Sequence, residues 1–174
     1  GEQELTLIYY PDRSMNPLTC ADFTNRTLFS LLYQGLFTVS RDYETQPMLC
    51  RNYRLSADMK TYTFYLEEAS FGDGTPVTAA DVTATLLAAK DSPYYSGRFL
   101  HISAVEAGAD GSVVIRTDTP MENLPILLDI PILKAAEVQA DYPMGSGPYV
   151  LDNAGGTPLL RRRTDWWCSA KVTA

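Results

Sequence analysis

The sequence predicts an α+β fold: a mixed β-sheet built from β-hairpins, with helices flanking it. Two observations carry this. Tyr62, Phe64 and Leu66 alternate with Thr61, Thr63 and Tyr65, the period of two expected of a strand with one buried face. Segments at helical spacing lie between such strands, without the regular strand–helix–strand alternation of a parallel sheet. The 174 residues are 45% apolar and 20% charged, so the chain can fold as one domain and bury on the order of 70% of its unfolded surface.

The elements follow in order. Residues 5–10 are apolar and β-prone and stop at Pro11-Asp12, so a buried strand delivers the chain to a polar loop at 11–20. Residues 23–34 read as one helix, with Asp22 as N-cap, Leu28, Leu31 and Leu32 at helical spacing, and Gly35 as a left-handed C′ residue. Residues 52–56 and 61–66 make a hairpin around Ala57-Asp58-Met59-Lys60. After the glycine loop 71–76, Thr78 caps a helix. Asp81 stands three residues on, where a capping-box acid belongs, and Val82, Leu86 and Ala89 point to the core. Asp91-Ser92-Pro93 ends that helix, and residues 94–101 are irregular and aromatic. A second hairpin joins 103–107 to 112–117 through Ala109-Asp110-Gly111. A short helix at 121–128 carries Pro125 near its start. Residues 130–133 are a short apolar stretch, and 149–151 with 159–163 form a last strand pair. Arg161-Arg162-Arg163 are expected on an edge strand, where positive charge discourages unwanted pairing.

Composition excludes several functions. A net charge of −7 repels phosphate backbones, which argues against nucleic-acid binding. No run of 18 apolar residues is present, so no helix spans a membrane. No charged n-region and apolar h-region precede the first strand, as expected of a chain that starts after a processed leader. Cys20, Cys50 and Cys168 lie far apart and His101 is the single histidine, so neither a disulfide framework nor a metal site is expected. No cofactor is implied, and the thiols read as small buried apolar groups.

Three stretches go beyond composition: Ser56-Ala57-Asp58-Met59-Lys60-Thr61-Tyr62-Thr63-Phe64-Tyr65-Leu66, Phe71-Gly72-Asp73-Gly74-Thr75-Pro76-Val77-Thr78-Ala79-Ala80-Asp81-Val82, and Gly145-Ser146-Gly147-Pro148-Tyr149. In this order the chain resembles the family 5 extracellular solute-binding proteins, which include oligopeptide, dipeptide and nickel binding proteins. Asn16-Pro17 after the first strand, Tyr33-Gln34-Gly35-Leu36, Pro47-Met48-Leu49 and Asp165-Trp166-Trp167 match too, so the resemblance covers residues 4–167. It implies part of the first lobe of a two-lobed clamp of the periplasmic-binding-protein type II kind. The second lobe and the C-terminal return would lie outside residues 1–174. It also implies peptide or another small solute as ligand, ABC-transporter permease subunits as partners, and an extracytoplasmic location with attachment to the membrane through a lipid anchor. In the nickel-type branch an arginine approaches the metal chelate from the segment after the short helix. Ile130-Pro131-Ile132 offers none, which speaks against nickel.

By position in that family the loop after the first strand faces the ligand, so Tyr10, Asp12, Arg13, Ser14 and Met15 are the first candidate contacts. Backbone groups there can pair with a peptide as an added strand, and a charged side chain can meet a terminus. In the alternative reading Asp12 and Arg13 are turn residues that pair with each other. The segment 94–101 is the second candidate, with Arg98, Phe99 and His101 as residues that could line a pocket wall, against a reading as a surface loop in which Phe99 tucks into the core. A hydrolase is the rival class. Glu67 and Glu68 end a strand facing opposite ways, Asp73 and Asp81 have scaffold roles, and no Gly-x-Ser-x-Gly elbow appears. A third reading attaches the same lobe to a regulator as a solute sensor.

Overall fold

The computed structural model describes residues 4–5, 9, 13–152 and 159–168. The fold is α+β, and every strand pairing among the described residues is antiparallel. The largest sheet has four strands. Strand β4 (Cys50–Leu55) pairs with β5 (Thr61–Leu66), which pairs with β7 (Val113–Thr117), and β6 (Ile102–Ala107) forms the far edge. Tyr62 and Phe64 are fully buried and stack with ring centroids 5.6 Å apart, as the alternation requires. Burying each such ring is worth roughly 2–3 kcal/mol. The hairpin turn places Met59 at φ 58°, and Asp58 Oδ1 accepts from Lys60 N at 3.1 Å. In the second hairpin Gly111 sits at φ 84°, where a Cβ would be strained, and Asp110 Oδ1 accepts from Ser112 N at 3.1 Å.

Helix α3 (Ala79–Ala89) packs on this sheet through Val82, Leu86 and Ala89, all buried. Its start is a capping box. Asp81 Oδ2 accepts from Thr78 N at 2.8 Å and from the Thr78 hydroxyl at 3.0 Å. The other carboxylate oxygen accepts from Ala135 N at 2.9 Å, and the Thr85 hydroxyl donates to Leu133 O at 3.1 Å and accepts from Leu133 N at 3.0 Å. So α3 also fixes the course of the chain at 133–135, the end of the apolar stretch. Three short 3₁₀ turns, Ser96–Phe99, Leu124–Leu127 and Ala135–Glu137, complete this half, with Pro125 near the start of the second. Cys20, Cys50 and Cys168 are buried.

A second sheet has the order β1 (Glu4–Leu5), β9 (Leu159–Arg162), β8 (Tyr149–Asp152), and β2 (Phe37–Val39) pairs with β3 (Thr45–Pro47). The arginine run is therefore not an edge device, because β9 is the middle strand. Arg161 pairs with Asp152, and Arg163 is buried, donating to Ser70 O at 2.9 Å and to the Ser70 hydroxyl at 2.8 Å. Two other expectations change. The single helix at 23–34 is two short ones, α1 (Phe23–Arg26) and α2 (Phe29–Leu32), because the Asn25 and Arg26 side chains are tied to the preceding loop. Gly35 is not in the left-handed region. The chain leaves α2 through an extended Tyr33, and Gly35 is required by closeness: a Cβ there would lie 2.8 Å from Ile130 O.

Candidate functional site

The loop after the first strand is held from four sides. Met15 N donates to Asp141 O at 2.7 Å, the Tyr33 hydroxyl donates to Met15 O at 2.8 Å, and Asn25 Nδ2 donates to Ser14 O at 3.3 Å. Buried Asn16 donates to Val138 O at 2.9 Å and Ala140 O at 2.8 Å and accepts from Leu18 N at 2.9 Å. Burial raises the Tyr33 phenol well above its usual range, so it remains a donor. Arg13 pairs with Asp22, whose other oxygen caps α1 by accepting from Asn25 N at 2.9 Å. That backbone bond is the first cause, and Arg13 a lesser one, of a lowered Asp22 pKa. Arg13 and Ser14 border a shallow depression with Asp22 and the exposed Phe23. Met15 is completely buried and lines an apolar cavity of about 250 Å³ with Tyr33, Tyr142 and Met144. Tyr10 and Asp12 lie outside the described residues.

The second candidate group separates. Arg98 forms an ion pair with Asp129, donates to Leu127 O at 3.1 Å and lies 5.0 Å from the Tyr95 ring centroid. The Phe99 ring is buried in the core, and exposed His101 has Nδ1 3.1 Å from Asp118 Oδ1. Arg13, Ser14 and Met15 are thus anchored to α1, α2 and Asp141, and Arg98 and His101 to residues 118–129.

A larger concave surface of about 550 Å³ includes Asp129, the ion-pair partner of Arg98. Arg26, Phe29, Gln34, Tyr95, Asp129 and Trp166 are among its lining residues. Tyr95, in the turn before Ser96–Phe99, is buried with its phenol raised first by desolvation and held back by Arg26. The Arg26 guanidinium lies 4.1 Å from the Tyr94 ring centroid and 5.3 Å from that of Phe29. At the far side Trp166 and Trp167 both donate their indole N–H to Ser146 O, at 3.0 and 2.9 Å. This locks the Gly-Ser-Gly-Pro bend to the end of the last strand. Tyr95 falls within the candidate segment 94–101 without being singled out there, and Arg26 is not among the sequence-predicted contacts. Periodicity places Arg26 on a helix and carries no sign that it borders the concavity. Among the described residues no group of three His, Cys, Asp or Glu side chains could hold a metal ion, and no helix is long and apolar enough to cross a membrane.

A wall of aromatic rings with an arginine and an ion pair, carried on an antiparallel frame, has the mix of apolar and polar groups that small-molecule sites use. The chain belongs to the bacterial extracellular solute-binding proteins, family 5, whose middle-region model matches residues 44–173. It is 29% identical over 161 residues to the glutathione-binding protein GsiB of Escherichia coli K12, covering 85% of this chain and 31% of GsiB. The pheromone receptor PrgZ, whose structure describes its mode of peptide binding, superposes with a TM-score of 0.77 at 22% identity, over 95% of this chain and 40% of PrgZ. The binding protein MoaA of Agrobacterium tumefaciens R10, in complex with mannopinic acid, gives 0.69 at 25% identity, over 80% and 32%. The chain therefore spans about a third of the length of such relatives.

Proposed function

We propose that residues 1–174 are part of the first lobe of a two-lobed extracytoplasmic solute-binding protein. It captures a peptide or similar small solute between lobes and presents it to the permease subunits of an ABC importer, held at the membrane through a lipid anchor. The observation that carries this is the concave wall formed by Arg26, Phe29, Tyr95, Asp129 and Trp166. Apolar rings supply contact area, while Arg26 and the Arg98–Asp129 pair supply the few polar groups that orient a ligand. A second lobe closing over this wall by hinge motion would desolvate the ligand and complete the site. Family membership supports the solute-binding role. GsiB, named for binding glutathione, and MoaA, bound to mannopinic acid, favour a small polar organic ligand.

Trp166 supplies the test. A W167F variant leaves Trp166 as the sole indole, and its emission is followed while tri-alanine, glutathione or gluconate is added. The expected result is a saturable change with at least one of them, in the range of 1–10 mM that one wall contributing roughly 3–4 kcal/mol would give. Emission unchanged by all three would overturn the reading.

A further inference from the structure

We propose that the open edge of β4 is a docking strand, on which an acidic, extended segment of a partner protein adds to the four-stranded sheet as a fifth strand. No residue of β4 lines the concave wall, so the inference does not depend on what that wall binds. β4 is the outermost strand of its sheet, pairing with β5 on one side and with no described strand on the other. Ser56 N donates to Thr61 O at 3.0 Å, and the alternation of an antiparallel ladder then turns the N–H and C=O groups of Tyr53 and Leu55 away from β5. Such groups are a template for one more strand. Residues 51–54 are all exposed, so no other described element covers them.

The side chains fix the chemistry of the partner. β4 carries Arg51 and Arg54 and no carboxylate. Among the described residues no carboxylate pairs with either, and Arg54 lies 6.0 Å from the Tyr65 ring centroid. Elsewhere Arg13, Arg98, Arg116 and Arg161 are matched to Asp22, Asp129, Glu106 and Asp152. On a chain of net charge −7, two arginines without a counter-ion on one open edge reverse the sign locally. Tyr53 stands between them, 41% exposed. Its ring lies against Phe37 and Phe64, with centroids 5.9 and 5.6 Å apart, and the outer half is left as an anchor for an incoming strand. The same charges disfavour a second copy as occupant. Two β4 strands paired antiparallel about Asn52 and Tyr53 would set Arg51 opposite Arg54 twice, and like charges facing each other across a pair are destabilising. The bulge between Cys50 and Asn52 adds to that protection. An acidic strand meets the opposite sign.

The experiment uses the 174-residue chain and capped hexapeptides matched to the six residues of β4. One alternates glutamate with valine, one alternates lysine with valine, and one is the acidic peptide with its two central residues replaced by proline. Hydrogen exchange of the Tyr53 and Leu55 amides is followed by NMR. The acidic peptide is expected to slow both amides saturably and to bind about tenfold more tightly than the basic one. The proline peptide should leave them unchanged, because it cannot pair as a strand. In R51E/R54E, which alters exposed positions only, the preference between acidic and basic peptides is expected to reverse. Equal binding of the two by the wild-type chain, or no slowing by either, would overturn the proposal without recourse to a variant. So would slowing that grows with chain concentration in the absence of peptide, which assigns the edge to a second copy. Trp166 emission reads the concave wall and should not respond to these peptides at the concentrations that protect β4, so failure here leaves the solute-binding reading standing.

Discussion

A graded glycine series measures how tightly the frame is built. A Cβ on Gly147 would lie 2.5 Å from Leu31 O and 2.5 Å from Leu32 C, whereas ordinary contact begins near 3.4 Å. These are backbone atoms of α2, so the bend and the helix would have to part by about 0.9 Å. Such overpacking costs about 1–3 kcal/mol. The separation also strains the bond from Gly147 N to Leu32 O, 3.0 Å long, worth roughly 0.5–1.5 kcal/mol. Loss of unfolded-chain freedom on Gly→Ala offsets about 0.4–1 kcal/mol. The net expectation for G147A is a destabilisation of about 2–3 kcal/mol, a large share of a typical 5–15 kcal/mol total. G111A has free space but places alanine at φ 84°, costing about 1 kcal/mol. At Gly97 nothing lies within 4 Å and φ is not positive, so G97A should be neutral or stabilising by a few tenths of a kcal/mol. Urea unfolding followed by tryptophan emission reads all three, and G147A should lower the midpoint by about 1 M. A G147A midpoint as high as that of G97A would refute the close approach.

Two further outcomes follow from buried and charged groups. N16A removes two donated bonds and one accepted bond, and should cost about 2–4 kcal/mol in the same urea assay, against no more than a few tenths for an exposed control such as S103A. Asp73 is held well below the ordinary carboxylate range, first by the Lys134 ammonium and then by Thr75. A depressed folded pKa stabilises above the unfolded value near 4 and the stability is lost as pH falls through the lower folded value. D73N should therefore flatten the fall in melting temperature below about pH 4. Parallel curves for D73N and wild type would remove Asp73 from the account.

Much of the frame was legible because local rules decided it. The Tyr62/Phe64 alternation, the Asp110-Gly111 turn and the Thr78/Asp81 capping box each fix backbone by short-range chemistry, and each stands in the structure. Where reading fell short, distant partners decided. Residues 23–34 have helical spacing, but Asn25 and Arg26 bond back to Ser14 and Cys20, and the low-propensity Thr24 and Thr27 yield to them. Gly35 serves closeness to Ile130 and not a left-handed cap, a distinction set by packing. Arg163 is buried because β9 is central, and strand order is not written in a single strand. The candidate site was legible only by neighbourhood. The segment 94–101 borders the concavity through Tyr95, yet Phe99 packs inside and His101 faces Asp118 at the exposed surface. Arg26 carried no signal beyond its place in a helix.

The most direct measurement of the central claim is photo-crosslinking of the chain with a pool of tripeptides bearing a diazirine side chain, followed by peptide mapping. The account predicts crosslinks at Phe29, Tyr95 and Trp166, competed away by unlabelled peptides. Crosslinks confined to the Tyr142–Met144 cavity, or spread over the outer face of β4, would contradict it.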